Sequence, residues 1–374
     1  MAQSSHRDDF FQTTTSIEES RRKAEKASNT NGNPIRLQSK LLAIAADPFS
    51  SASVYVAESA GLLRKVVLEV GKTAAIYKGP TAPLTSLCFS PNGTTVFAGC
   101  WDKIIWSWDV KSRQPAKQYQ GHTDFVKTVI SVRIGDKDLL VSGGADAEII
   151  VWDIQSAERL HVFKDYGRGV QDLIVDPLIS EDDPTHITVF SSGSDRSIRH
   201  FGLSPPLKDQ ALSDPILEHE TSVYKLFFDA DGDLWTASAD KTAKCLTRAT
   251  NWKTDMSLEH PDFVRDVVVH EQGGWVATAC RDEEVRIWNR ATGKLHHTYS
   301  GHFEEVTGLL LVGATIISIS IDATIRQWSL EPAKLQLAKA EAEGAVKKDE
   351  EEKPEEPLLT EEEERELAEL MADD

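Results

Sequence analysis

Short runs of alternating apolar and polar residues recur along the whole chain, separated by turn-forming residues. Residues 121–164 show the pattern clearly, with runs at 125–133, 138–142, 148–153 and 159–163. Turns rich in Gly, Asp and Ser lie between the runs. Alternation with a period of two, together with many β-branched residues, predicts β-strands. Each such stretch therefore predicts a unit of three or four short strands.

Six aspartates divide the chain at intervals of 44, 49, 45, 42 and 40 residues. Each lies in a turn of small residues, and an aromatic or apolar residue follows six positions later. The six are Asp102, Asp146, Asp195, Asp240, Asp282 and Asp322. Self-similarity at this period predicts an array of one supersecondary unit. The same pattern fits six units between residues 80 and 330, and a degenerate first unit fits 38–79, which makes seven.

The residues that bracket these units resemble the WD-repeat family. The matching pairs are Gly121-His122 with Trp152-Asp153, and Gly301-His302 with Trp328. The resemblance spans residues 34–331 and implies an all-β, seven-bladed WD-repeat β-propeller. A four-stranded sheet that is apolar on both faces cannot bury either face alone, so the blades are expected to stack around an axis.

In that family, four hydrogen-bonded side chains hold a blade: a His before the first strand, a Ser or Thr on the second, the turn Asp and a Trp on the third. Carried over residue by residue, the resemblance implies three complete tetrads. They are His122, Ser142, Asp146 and Trp152; His260, Thr278, Asp282 and Trp288; and His302, Ser318, Asp322 and Trp328. Half of a catalytic relay is the alternative interpretation, but no nucleophile accompanies these pairs. We interpret the tetrads as structural, since buried donors and acceptors usually satisfy each other.

Two segments compete to complete the last blade. Residues 34–37 lie as far before the strand at 41–45 as residues 215–218 lie before the strand at 223–228. We therefore predict that residues 34–37 form the outer strand of blade 7 and close the ring, which leaves no exposed sheet edge there. Residues 334–337 are the alternative.

The two ends of the chain differ in composition from the repeats. Residues 1–33 are polar with few apolar anchors and are predicted to be a disordered arm. Residues 332–374 form an acidic tail, with a solvated helix or coil early in it and a short helix near 361–371 that begins at a capping box. That last helix is either a docking motif or a solubilising tail, and the second interpretation is favoured because short helices are marginal alone.

The net charge of -19 is concentrated in the tail, because residues 341–374 contain 16 acidic and 4 basic side chains. An acidic balance argues against direct binding to nucleic acid or to an anionic membrane. The four cysteines show no metal-ligand spacing, and no apolar stretch resembles a signal peptide or a membrane span. We expect a protein of the cytoplasm, the nucleus or both. With no cofactor, metal or catalytic motif in the sequence, we expect no enzyme activity.

The resemblance places a binding surface on the top face, at the residue before each turn Asp and at positions three and five after each His. The candidate partner-binding residues are Trp101, Phe125, Lys127, Tyr224, Phe263, Arg265 and Arg281. Aromatic and arginine side chains often dominate interface energies, and cations suit acidic or phosphorylated peptides. The alternative is that Arg265 and Arg281 only pair with Asp262, Asp266 or Glu283.

Two functions follow from this interpretation. The first is a non-enzymatic scaffold or adaptor, monomeric within a multiprotein complex, which binds other proteins through peptide segments. The second is a substrate receptor of a cullin-type ubiquitin ligase. Receptors of that kind carry an Arg two residues after a Trp-Asp pair, and Trp108-Asp109 is followed there by Lys111.

Overall fold

The computed structural model describes residues 21–351, apart from Glu25, Asp165, residues 179–185 and residues 205–210, with side chains up to residue 344. Seven antiparallel sheets follow one another along the chain, which confirms the predicted seven-bladed, all-β propeller. Blades 1 to 3 contain β2(Leu41–Asp47), β3(Ser50–Glu58), β4(Leu63–Val67), β5(Lys72–Tyr77); β6(Leu84–Phe89), β7(Thr95–Cys100), β8(Ile104–Asp109), β9(Pro115–Gln120); and β10(Val126–Ile134), β11(Lys137–Gly144), β12(Ile149–Asp153), β13(Arg159–Phe163).

Blades 4 to 7 repeat this order with two variations. Their strands are β14(Val170–Val175), β15(Ile187–Gly193), β16(Ile198–Leu203); β17(Val223–Phe228), β18(Leu234–Ser238), β19(Thr242–Thr247), β20(Lys253–Glu259); β21(Val264–His270), β22(Trp275–Cys280), β23(Glu284–Asn289), β24(Leu295–Ser300); and β25(Val306–Val312), β26(Thr315–Ser320), β27(Thr324–Ser329). Blade 4 has three strands among the described residues, and Ile216 adds an isolated bridge to Ile198. Blade 7 takes its fourth strand from the other end of the chain.

That fourth strand is β1(Ile35–Arg36), which pairs antiparallel with β27 through Ile35 opposite Ile325 and Arg36 opposite Thr324. The prediction that residues 34–37 close the ring is confirmed. The alternative segment, residues 334–337, lies instead in the helix α1(Pro332–Glu351). Closure by the N-terminal strand ties the two ends of the repeat array into one sheet.

The apolar core lies between neighbouring blades. Phe163 of blade 3 packs within 4.4 Å of Phe201 of blade 4, measured between ring centroids, in a cluster of buried residues from both blades. Buried residues of β1 and β27 form another cluster with Leu41 and Val56 of blade 1. Each blade thus buries its faces against its neighbours, as the repeat period requires.

The disordered arm was expected to extend to residue 33, but residues 21–33, apart from Glu25, have a defined structure. Residues 21–24 and 26–27 are helical, and Asn29 donates to Gly301 O (3.0 Å) while it accepts a hydrogen bond from Arg326 (2.7 Å). Gly32 has φ +67°, and a Cβ there would lie 2.7 Å from the Trp328 ring. Polar contacts and one close approach order this segment, so few apolar anchors are needed. Residues 1–20 lie outside the described residues.

The chain divides into two compact units, residues 1–331 and 332–374. The second contains α1, where a helix or coil was expected. The short helix predicted near 361–371 lies outside the described residues and stays a prediction.

Candidate functional site

Blades 3 and 7 contain all four tetrad residues, joined by three contacts in each blade. In blade 3, His122 Nδ1 lies 2.9 Å from Asp146 Oδ2, and His122 Nε2 lies 2.7 Å from the Ser142 hydroxyl. Trp152 donates to the same hydroxyl at 2.8 Å. The equivalent distances in blade 7 are 2.9, 2.7 and 2.8 Å. These side chains are buried and satisfy each other, so the geometry is that of a structural network.

Blade 6 departs from the tetrad that the resemblance implies. Arg286 takes Asp282 with a forked contact of 2.5 and 3.0 Å, and His260 Nδ1 is directed instead at Leu258 O (2.9 Å). A guanidinium–carboxylate pair makes two charge-assisted hydrogen bonds, whereas a neutral imidazole makes one, so Arg286 displaces the histidine. Burial and the charge of Arg286 lower the pKa of His260 to about 4. The contacts of His260 and Trp288 to Thr278, at 2.8 and 2.9 Å, are kept.

Blades that lack tetrad residues find substitutes. In blade 4 the Tyr166 hydroxyl contacts the Ser191 hydroxyl, where a histidine nitrogen would lie. In blade 2 the Trp106 ring nitrogen donates to Asp102 at 2.8 Å. Every turn Asp is thus bonded locally. The hydroxyls that the histidines contact, those of Ser142, Thr236, Thr278 and Ser318, are each 0% exposed, so a substrate could not reach them.

The central channel is the feature that brings the sequence-predicted binding residues together. A cavity of about 380 Å³ is lined by the first strand of every blade. Four of the seven candidates line it: Trp101, Lys127, Tyr224 and Arg265. Phe125 stacks on Trp101 with ring centroids 5.0 Å apart and planes 15° from parallel. We call these five residues the channel mouth.

The aromatic pair of the channel mouth is exposed, with 41% of Trp101 and 36% of Phe125 open to solvent. Neither side chain is held in the core, so the pair offers an apolar platform. Stacked aromatics of this kind are typical anchors at protein interfaces. Phe263 and Arg281, the other two candidates, lie on the blade 6 side of the same face, with the guanidinium 5.1 Å from the ring centroid.

The cations of the channel mouth are paired to different degrees. Arg265 lies 4.3 Å from the Tyr224 ring centroid and pairs with Glu305 at 2.6 Å. The Arg281 side chain is half exposed, and its Nε lies 3.9 Å from Asp262 Oδ2, which is a long distance for an ion pair. No carboxylate pairs with Lys127 among the residues that the structure describes. Burial, followed by the charge of Arg265, lowers the pKa of Lys127, so an anion placed beside it would be favoured.

Deeper in the channel, two buried aspartates link neighbouring first strands. Asp172 accepts a hydrogen bond from Leu226 N (3.0 Å), and Asp266 accepts one from Leu309 N (2.7 Å). Lys225 pairs with Asp172 at 3.1 Å. Burial raises the pKa of Asp266 to about 6. The sequence analysis gave Asp266 as a possible partner of Arg265, and that interpretation is wrong because Asp266 accepts from the next blade while Arg265 pairs with Glu305.

One group of possible metal ligands occurs in the described part of the chain, formed by Asp229, Asp233 and Cys245. The Asp229 carboxylate already accepts from Trp235 (2.9 Å) and Arg290 (2.9 Å). Those donors occupy lone pairs of the Asp229 carboxylate that would otherwise bind a cation. We therefore interpret the group as a turn held by ion pairs and hydrogen bonds. Among the helices that the structure describes, none has the length and apolar character to cross a bilayer.

The fold and its central face define the class as a β-propeller of WD repeats. A family model described as WD domain, G-beta repeat, matches residues 71–109, 113–153 and 252–289. An uncharacterized WD repeat-containing protein of Schizosaccharomyces pombe is 34% identical over 336 residues, which cover 86% of this chain and 88% of that protein. The chain therefore belongs to the WD-repeat family.

Two other relatives share less of their length. Nuclear distribution protein nudF of Aspergillus niger is 26% identical over 70% of this chain and 53% of that protein. Pre-mRNA-processing factor 19 of Bos taurus is 23% identical over 53% of this chain and 38% of that protein. The chain thus spans about half or less of these two proteins. WD-repeat propellers are generally non-catalytic and generally bind other proteins.

Proposed function

We propose that this chain is a non-enzymatic scaffold or adaptor, which binds an extended peptide segment of a partner protein at the channel mouth. The observation that carries the proposal is the exposed Trp101–Phe125 stack beside Lys127, which forms no ion pair with a described residue. The stack accepts an apolar side chain, and Lys127 accepts an acidic or phosphorylated one. The propeller is a monomer within a larger complex of the cytoplasm or the nucleus.

The ion pairs of Arg265 and Arg281 indicate which cations are available to an anionic ligand. Arg265 already has Glu305 as its partner, so Lys127 and the half-exposed Arg281 are the cations that gain most from an incoming anion. The acidic surface of the rest of the protein repels anions elsewhere, which directs an acidic segment to this face. Specificity then comes from the pairing of one apolar and one anionic side chain at a fixed separation.

The test is affinity purification with quantitative mass spectrometry from cells that express the tagged full chain. We expect Trp101→Ala/Lys127→Ala to reduce the recovered amount of at least one partner ten-fold or more. Arg265→Ala/Arg281→Ala should also reduce the recovery of that partner. Phe49→Ala is the matched control, because Phe49 is 67% exposed but lies in the turn between β2 and β3, away from the channel mouth. Identical partner lists for the wild type and both double variants would refute the proposal.

The ubiquitin-ligase alternative gains no support from the geometry. Lys111 is exposed after β8, but a lysine makes a point contact, whereas the receptors it resembles use a forked arginine. Co-purification of a cullin adaptor, lost in Lys111→Ala, would reinstate that alternative.

A further inference from the structure

The described chain begins on the same face as the channel mouth. Arg22 pairs with Glu283 (2.8 Å), and Lys23 pairs with Glu304 (2.8 Å). Glu283 lies two residues after Arg281 in one turn, and Glu304 precedes Glu305, the partner of Arg265. Residues 21–23 are therefore fixed at the outer edge of the face that carries the candidate site.

This attachment is firm because Lys26 reinforces it. Lys26 pairs with Glu283 at 2.9 Å and with Glu284 at 2.7 Å, and the side chain of Glu283 is only 6% exposed. Any residue before Arg21 therefore starts from a known point beside blades 6 and 7. The position of that point limits what the preceding residues can reach.

The preceding residues contain Asp8-Asp9-Phe10-Phe11, two carboxylates followed by two phenyl rings. The channel mouth presents the complementary set: an exposed aromatic stack and Lys127, a cation without an ion pair in the described part of the chain. The acidic tail offers charge but no aromatic residue after residue 351, so it matches only half of the channel mouth. Residues 8–11 match both halves.

The connecting segment is long enough. Ten residues lie between Phe11 and Arg22, and the eleven steps from one to the other span up to about 36 Å when extended. Four strands spaced by about 4.8 Å place the outer edge of a blade roughly 15–20 Å from its innermost strand. Crossing blade 6 brings the chain to Arg265, and Trp101, Phe125 and Lys127 lie in blades 2 and 3 on the other side of the channel. Residues 12–21 must therefore be nearly extended to bring residues 8–11 to them.

We propose that residues 8–11 occupy the channel mouth of their own chain, with Asp8 and Asp9 beside Lys127 and the phenyl rings on Trp101 and Phe125. The inference rests on the proposed function, because an external peptide must displace this internal one. A tethered segment has an effective concentration in the millimolar range, so even weak intrinsic affinity keeps the site covered. Access to the site would then be set by the competition between the internal and the external segment.

The experiment measures binding of a fluorescein-labelled peptide of residues 5–14 to the full-length chain by fluorescence anisotropy. We expect Phe10→Ser/Phe11→Ser, which empties the channel mouth, to bind the peptide at least ten-fold more tightly than the wild type does. Adding Lys127→Glu to that variant should abolish the binding. Phe49→Ser is the control variant and should behave like the wild type.

A peptide of residues 360–369 serves as an acidic control without aromatic residues. Equal binding of both peptides would show that charge alone acts and would overturn the assignment of residues 8–11. Equal affinity of the wild type and Phe10→Ser/Phe11→Ser for the first peptide, or no binding to either, would also overturn it. Sedimentation of the wild type as a concentration-dependent dimer, abolished in Phe10→Ser/Phe11→Ser, would assign the segment to a second copy and contradict binding within one chain.

Failure of this inference and failure of the proposed function give different results. If the peptide binds as expected but the partner lists of the channel-mouth variants do not change, the scaffold proposal fails and the internal contact stands. If partners depend on Trp101 and Lys127 but the peptide does not bind, the internal contact fails and the scaffold proposal stands.

Discussion

Removing the tetrad histidine should cost more stability in blade 7 than in blade 6. In blade 6, His260→Ala deletes two neutral hydrogen bonds, to Thr278 Oγ1 (2.8 Å) and to Leu258 O (2.9 Å). At about 1 kcal/mol for each neutral hydrogen bond, the expected loss is about 2 kcal/mol. Asp282 keeps Arg286 and is unaffected.

In blade 7, His302→Ala deletes one neutral hydrogen bond to Ser318 and one to the carboxylate of Asp322 (2.9 Å). The Asp322 side chain is fully buried, and contacts with His302 and Thr324 lower its pKa although burial opposes them. A hydrogen bond to an ionised group contributes about 1.5–3 kcal/mol. His302→Ala should therefore lose about 2.5–4 kcal/mol in total, which is about 0.5–2 kcal/mol more than His260→Ala.

Urea denaturation at pH 7 measures both losses, since at that pH the aspartates are ionised and His260 is neutral. Second-site changes make the test specific. Asp322→Asn should restore part of the stability of His302→Ala, because it removes the buried charge. Asp282→Asn should further destabilise His260→Ala, because it takes away the partner of Arg286. Equal losses in the two blades, or no recovery with Asp322→Asn, would show that the competition for the turn aspartate is not what distinguishes them.

Two further predictions concern the attachment of the N-terminal segment and the channel. Lys26→Met should destabilise the protein by about 1–3 kcal/mol, because it removes the cation that pairs with Glu284 and leaves Glu283 with Arg22 alone. Arg22→Met, at a side chain 54% exposed, should change the stability by less than about 0.5 kcal/mol. Thermal unfolding compares the two variants, and equal effects would contradict the role given to Lys26. Asp266 has a pKa of about 6 in the folded protein against an ordinary value of 3.8, so the folded chain holds the proton more tightly and the stability that this provides is lost as the pH rises from about 4 through 6. The stability of Asp266→Asn relative to the wild type should therefore increase by about 2 kcal/mol between pH 4 and pH 7.5, and a pH-independent difference would refute that account.

The repeat period and the closing strand could be predicted from the sequence because both depend on local pattern. The spacing of the turn aspartates defines the blades, and the position of residues 34–37 relative to the first strand defines the closure. The order of residues 21–33 could not be predicted in this way. It depends on pairing of Arg22, Lys23 and Lys26 with carboxylates more than 250 residues away, and no periodicity reports such contacts.

That the candidate residues bind a partner stays a prediction, but the structure adds contacts that the sequence did not contain. The resemblance implied that Trp101 and Phe125 lie on one face, and the structure adds that they stack. The pairing of Arg265 with Glu305, and the lack of a partner for Lys127 in the described residues, depend on how neighbouring blades are rotated about the axis. That rotation is fixed by packing between blades, which a single repeat does not encode.

The residue four positions after a turn aspartate can compete with the tetrad histidine for that aspartate. In blade 3 this residue is Ile150, which cannot compete, and His122 keeps Asp146. In blade 6 it is Arg286, which takes Asp282. Blade 7 also has an arginine there, Arg326, and on the basis of sequence it should disrupt the tetrad as well.

Arg326 does not take Asp322, and its Nη1 is held by the N-terminal segment instead. Arg326 donates to the Asn29 side chain at 2.7 Å and to the Asn31 carbonyl, which leaves Asp322 to His302. Blade 7 is the blade whose outer strand comes from the other end of the chain, so its tetrad is complete only when the ring is closed. The segment that closes the propeller therefore also sets the hydrogen bonding inside the last blade, and opening of the ring should release Arg326 to compete for Asp322 as Arg286 does for Asp282.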